Sequence, residues 1–174
     1  MNEKIRNWSM GLVIIGVLFL SGCVSAPLKQ YSEVLPKANN IRLEKAVFCK
    51  LSPGEGGYKL SFGEPINSPS AEQFEVVEVY GDCLKKELEK RGFTVTADSG
   101  KEGTVIVKTK IGEIPSTLIA VGTAGVEIEV RDNSDKLLLS FQRAANTSVL
   151  VSAKWQMKRF IASQVAEQLK KKFL

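Results

Sequence analysis

The sequence predicts an α+β fold: a two-layer sandwich in which two helices cover one face of a mostly antiparallel sheet of four to five strands. Three observations carry this. Apolar residues recur at helical spacing after Ser70 and again after Ala153. They alternate with polar residues over 104–111 and 125–131, the period of a half-buried strand. One antiparallel register of those two strands also satisfies both of their faces. It sets Lys108 against Glu129 and Lys110 against Glu127 outside, and Val107 against Val130 and Thr109 against Ile128 inside. A slip of one residue would spoil both faces.

Lys4 and Arg6 precede an apolar run from Met10 to Leu20. That run falls short of the roughly 20 apolar residues of a spanning helix and has the size of a signal-peptide core. Leu20-Ser21-Gly22-Cys23 follows directly and looks like the lipobox of bacterial lipoproteins. In such signals the Cys thiol receives diacylglycerol and the chain is cut before it, so residues 1–22 are expected to be a signal peptide and Cys23 the lipidated residue. Two or three acyl chains anchor a protein stably where one does not. Val24 stands where an Asp commonly retains such proteins at the inner membrane. The expected place is therefore the outer membrane, facing the periplasm.

Residues 23–40 read as the lipidated Cys and a tether, since they carry two prolines and no sustained period. A single domain is expected over 41–174. Ile41 to Leu51 alternates, with Leu43, Val47, Cys49 and Leu51 on one face. Residues 52–70 are rich in Gly, Pro and Ser and read as a long loop. Ser70 and Gln73 form a capping-box pattern, Val77, Tyr80, Leu84 and Leu88 a helical stripe, and Gly92 a C-terminal cap. Phe93 to Thr96 is a short strand.

Beyond the central pair of strands, Asp132-Asn133-Ser134-Asp135 is a turn by its side-chain chemistry. Leu137, Leu139 and Phe141 continue the inward face on a further strand. Met157, Ile161, Val165, Leu169 and Phe173 form one row of the last helix. This topology brings the loop after the 104–111 strand beside residues 143–152. Leu118, Ile119 and Val121 in one segment and Val149, Leu150 and Val151 in the other then make a candidate interaction patch. The alternative is that these side chains cap the core or extend the strands.

The full chain of 174 residues holds 24 basic and 19 acidic side chains. Without Lys4, Arg6 and Glu3 the remaining 152 residues carry 22 and 18, well mixed along the chain. That balance is ordinary for solubility, and export argues against a nucleic-acid partner. Once Cys23 is committed to lipid, Cys49 and Cys83 remain. In an oxidising compartment they can form a disulfide; equally, both can be buried thiols. The sequence leaves the two open.

There is no histidine, which removes the commonest general base and metal ligand. Nucleophilic triads that need one are excluded. No nucleophile elbow, CxxC pair or phosphate-binding loop is present. Glu127 and Glu129 share a strand face, but opposed lysines make a solvated ion-pair ladder the better account. Trp155 and Phe160 are read as core aromatics, with sugar stacking the alternative. No enzyme, no metal and no cofactor is expected.

The helix ending Leu88-x-x-Arg91-Gly92-Phe93, the segment Gly125-Val-x-Ile-x-Val-Arg-Asp132 and the closing amphipathic helix resemble a group of small bacterial lipoproteins. Their fold is similar to the N-terminal domain of TolB and to the curli-secretion lipoprotein CsgG. The resemblance covers about residues 41–173 and implies an accessory part of envelope assembly or secretion machinery, in some members a ring. It implies a lipid-anchored, non-catalytic module that binds another envelope protein or itself. The rival expectation is a binder of a small envelope ligand, a glycan or lipid fragment.

Overall fold

The computed structural model describes residues 28–54, 59–98, 102–117, 121–148 and 150–174. The expected signal peptide and Cys23 lie outside them, as do Leu118, Ile119 and Val149. In chain order the elements are β1 (Lys29–Gln30), β2 (Asn40–Leu43), β3 (Val47–Pro53), β4 (Leu60–Pro65), α1 (Ala71–Lys90), β5 (Thr94–Val95), β6 (Thr104–Ile114), β7 (Gly122–Arg131) and β8 (Leu137–Thr147). A last helix, α2, runs as Ala153–Gln156, a π-helical turn Met157–Ile161, and Ala162–Phe173.

Strands β6 and β7 pair in the register their charges predict: Lys108 faces Glu129, Lys110 faces Glu127, and Val107 faces Val130. The α+β class and the two helices hold. The sheet itself is larger and mixed. Its strand order is β1-β8-β7-β6-β2-β5, with β3 beside β6 and β4 beside β3. Pairing is antiparallel from β1 through β6 and parallel between β6 and β2, β2 and β5, and β6 and β3. The parallel step from β2 to β5 encloses α1, because parallel strands need a long crossover and a helix supplies it.

The expected single strand over 41–51 is two. Leu43 pairs with Val107, but Val47 pairs with Lys110. Glu44, Lys45 and Ala46 thus stand opposite only Lys108 and Thr109. One extra residue bends the strand and flips every later side chain to the other face. Ile41 points into the core; so does Phe48, while Cys49 and Leu51 do not.

The expected loop over 52–70 is largely the return strand of a hairpin, β4, in which Ser61 pairs with Ser52 and Leu60 with Pro53. This hairpin folds over the face of the sheet opposite the helices. An added Cβ on Gly112 would lie 2.9 Å from the Leu51 Cβ, and one on Gly125 would lie 2.6 Å from the Leu60 Cδ1. The two glycines are the floor on which it rests. At the other end of the chain's path, β1 adds a short edge strand to β8, and Ala38 is fully buried. The last part of the expected tether is therefore integral to the domain.

The core lies between the sheet and the helices. Val105, Val107, Ile111, Val126, Ile128, Val130, Leu139 and Phe141 meet Val77, Tyr80, Leu84 and Leu88 of α1 and the predicted row of α2. A bulge after Val130 sends Leu138 rather than Leu137 inward. Helix α1 begins with the predicted capping box: the Gln73 N–H donates to Ser70 Oγ at 3.2 Å, and the Ser70 N–H to Gln73 Oε1 at 2.9 Å. It ends on Gly92 at φ 95°, with the Phe93 N–H donating to the Leu88 carbonyl. In α2 the apolar row repeats every four residues, slightly longer than an α-helical turn. The π turn, in which the Ala162 N–H reaches the Met157 carbonyl, takes up the surplus and keeps the row facing the sheet.

Candidate functional site

The turn chemistry predicted for 132–135 places one end of the sheet, and the described residues of the expected patch stand at the other. Gly122 pairs with Thr147, and Ser148 bridges to Val151. The segment leading into β7 and the segment leaving β8 thus lie side by side. Of the patch residues described, Leu150 is 87% exposed and Val121 67%, while Val151 is half-buried. Two of the three therefore point to solvent and cap nothing.

Helix α2 leaves from this same end, with Ser152 Oγ accepting the Trp155 N–H. Its first turns add two aromatics that the sequence reading assigned to the core. Trp155 and Phe160 are 43% and 40% exposed. Their rings meet edge to face with centroids 5.4 Å apart, and the Arg159 guanidinium lies 5.8 Å from the Trp155 ring. Their positions in the helix could have revealed this: the buried row runs through Met157 and Ile161, and Trp155 and Phe160 fall off it.

Cys49 and Cys83 are free thiols. Cys83 packs at the edge of the helix-side core, whereas Cys49 lies outside that core and is fully buried. Its charged neighbours are Lys110, Glu127 and Glu64. The sheet separates the pair. Bridging them was conceivable only in the unbroken phase of 41–51, which the bulge at Glu44–Ala46 abolishes. Burial pushes the Cys49 thiol above its ordinary pKa.

The carboxylates of β7 are each engaged. Glu127 takes Lys110 at 3.2 Å and the Gln142 amide at 3.0 Å. Glu129 takes Arg131 at 2.8 Å. Lys108, set opposite Glu129, instead reaches Asp135 at 3.0 Å and Glu44 at 3.9 Å. Among the described residues no three or more Cys, Asp or Glu side chains gather as a metal site, and no helix is long and apolar enough to cross a membrane.

A second surface feature went unread in the sequence. Where the bulge lifts the chain off β6, two hollows open along α1. One of about 660 Å³ is lined by Leu43, Tyr80, Gly81, Val95 and Thr109, with Glu78, Asp82 and Lys85 among its charged residues. The other, about 630 Å³, is lined by Phe48, Ile66 and Phe74 with flanking prolines. The Tyr80 hydroxyl is buried and makes no regular hydrogen bond among the described residues; Thr109 is beside it. Burial raises the Tyr80 pKa well beyond the ordinary phenol range.

No family model matches the chain, and no curated protein matches it. Among solved structures, the PelC dodecamer from Paraburkholderia phytofirmans is similar at 11% identity, covering 86% of this chain and 100% of that one, with a TM-score of 0.49. A DUF330 protein from Xanthomonas campestris is similar at 10% identity, covering 81% of this chain and 89% of that one, with a TM-score of 0.47.

Proposed function

We propose that the chain is a lipid-anchored accessory protein of the bacterial envelope. Cys23 holds it at the outer membrane, facing the periplasm, and it acts by contact with another envelope protein or a second copy of itself rather than by catalysis. The observation that carries this reading is the exposed apolar end built from Val121, Leu150, Trp155 and Phe160. Solvating such side chains is unfavourable, and exposed apolar side chains gathered at one end of a domain suit a contact surface. Aromatics with an adjoining arginine are also the residue types enriched where interfaces bind most tightly. The lipobox pattern at Leu20–Cys23 supports the anchor, and the lack of histidine together with the engaged carboxylates supports a non-catalytic role.

The test is crosslinking in intact cells from a photoreactive residue at position 150. The expected result is a discrete crosslinked species that disappears in Trp155→Ala and in the unlipidated Cys23→Ser precursor, which stays in the inner membrane. Trp155→Ala should leave the melting temperature nearly unchanged. Absence of any discrete species, or a species indifferent to Trp155→Ala, would overturn the contact surface. Full labelling of Cys23→Ser with a fatty-acid analogue would overturn the anchor.

A further inference from the structure

The two hollows along α1 adjoin, with Lys45, Ala46 and Val77 in the walls of both. From Phe74 to Lys85 the helix runs about 16 Å beside them. The two halves differ in chemistry. The hollow at Phe74 is walled by Val47, Phe48, Ile66 and prolines, with Lys45 its single charged side chain. The hollow at Gly81 carries Glu44, Glu78, Asp82 and Lys85 at its borders and three hydroxyl-bearing residues, Tyr80, Thr96 and Thr109. Each hollow has the size of a small-molecule site, for which roughly 300–1,000 Å³ is usual.

Lys45 stands at the boundary. Its ammonium lies 5.3 Å from the Phe74 ring centroid. Among the described residues no carboxylate pairs with it. Val47 and Phe74 are 39% and 42% exposed in the apolar half. Gly81 adds an independent sign. A Cβ there would meet nothing within 4 Å, so packing within the chain does not require glycine. In a helix interior glycine is disfavoured relative to alanine. Its missing side chain leaves the helix backbone open to whatever fills the polar half.

An apolar half, a polar half and, between them, a lysine with no carboxylate partner among the described residues match one kind of molecule. We propose that this trough binds a single acyl chain bearing an acidic head, the chain lying against Phe74 and Ile66 and the acidic group on Lys45. The polar remainder of the head would lie along Gly81. Free fatty acids and lysophospholipids share this chemistry. The site lies on different elements from the apolar end at Leu150 and stands or falls apart from it.

The test uses the full-length protein in neutral phosphatidylcholine vesicles. One arm supplies a diazirine-bearing fatty acid, a second a diazirine lysophosphatidylglycerol, a third a neutral diazirine monoacylglycerol; labelled residues are mapped by mass spectrometry. Labelling by an acidic probe should concentrate in 45–48 and 65–77. It should fall at least tenfold in Lys45→Glu, which leaves the neutral probe unaffected. Ala71→Trp, at an exposed position that fills the apolar half, should block all probes with an unchanged melting temperature. Whichever acidic probe labels more strongly identifies the source. Labelling spread over the whole surface, or undiminished in both variants, would overturn the proposal.

Discussion

The side-chain amide of Gln142 pairs with the backbone of Leu60 as a neighbouring strand would: the Leu60 N–H donates to Oε1 at 3.1 Å, and Nε2 donates to the Leu60 carbonyl at 2.9 Å. The same Nε2 reaches Glu127. One glutamine on β8 therefore pins the β3–β4 hairpin across the outer face of the sheet. Gln142→Leu keeps the bulk and removes all three bonds. At about 0.5–1.5 kcal/mol each, less what solvent restores, the expected loss is about 1–3 kcal/mol. Chemical denaturation measures it, and hydrogen exchange at the Leu60 amide should quicken first, because the hairpin loosens before the sheet does.

The glycine floor makes a paired prediction. At Gly112 an added methyl meets the Leu51 Cβ at 2.9 Å and the Cys49 carbonyl oxygen at 3.0 Å. Neither atom can swing away. At Gly125 the close atom is the Leu60 Cδ1, the far end of a flexible side chain, and the next contacts are at 3.4 Å. Gly112→Ala should cost about 1–3 kcal/mol by overpacking, and Gly125→Ala clearly less. Equal denaturation midpoints for the two variants would show that the hairpin does not rest as described.

Two glutamates pull stability in opposite directions with pH. Hydrogen bonds from Lys90 and then Arg91 hold Glu87 below the usual carboxylate range. Its contribution is present above the unfolded-state pKa and lost as pH falls through the depressed folded value. Glu113 is raised, first by burial and then by the nearby Glu72 charge. Its folded form holds the proton longer than the unfolded chain, so stability is fullest below the unfolded pKa and declines as pH rises through the folded one. Glu113→Gln should raise neutral-pH stability and flatten the decline just above the carboxylate range. Glu87→Gln should lower neutral-pH stability and flatten the loss below that range. Denaturation midpoints from acid to neutral pH check both signs.

What was legible in the sequence was whatever two independent signals specified together. The β6–β7 register was fixed by charges on one face and apolar side chains on the other, so Lys108 and Val107 give the same answer. The start of α1 was fixed by Ser70 and Gln73, and its end by Gly92. By contrast, β4 is mostly half-exposed and exposed and carries Gly63 and Pro65, so alternation never reveals it. Strand β1 is two residues long and exists only because β8 offers an edge. That the segments at Val121 and Leu150 lie side by side was legible from topology alone. The trough was not, because it exists where a bulge displaces the chain, and one surplus residue among Glu44, Lys45 and Ala46 leaves no mark in composition or period.

That surplus residue also decides the chemistry of the cysteines. In an unbroken strand Cys49 would face α1, and Cys83 lies on that helix. With the phase flipped, Cys49 sits beneath the β3–β4 hairpin and the sheet stands between the two thiols. Both should be free even under oxidising conditions. Their reactivities should differ by access, and burial further lowers the thiolate fraction of Cys49, the form that attacks an alkylating agent. Cys83 is half-buried at the helix surface and should react with iodoacetamide in the folded protein. Cys49 is sealed and its pKa is raised by burial, so it should react only on unfolding. Gln142→Leu, by loosening the hairpin, should hasten Cys49 labelling while leaving Cys83 unchanged. Mass spectrometry without reductant counts the adducts. One adduct in the folded state and two in denaturant is the expected pattern. No adduct in denaturant would mean a disulfide, and with it a strand phase opposite to the one described.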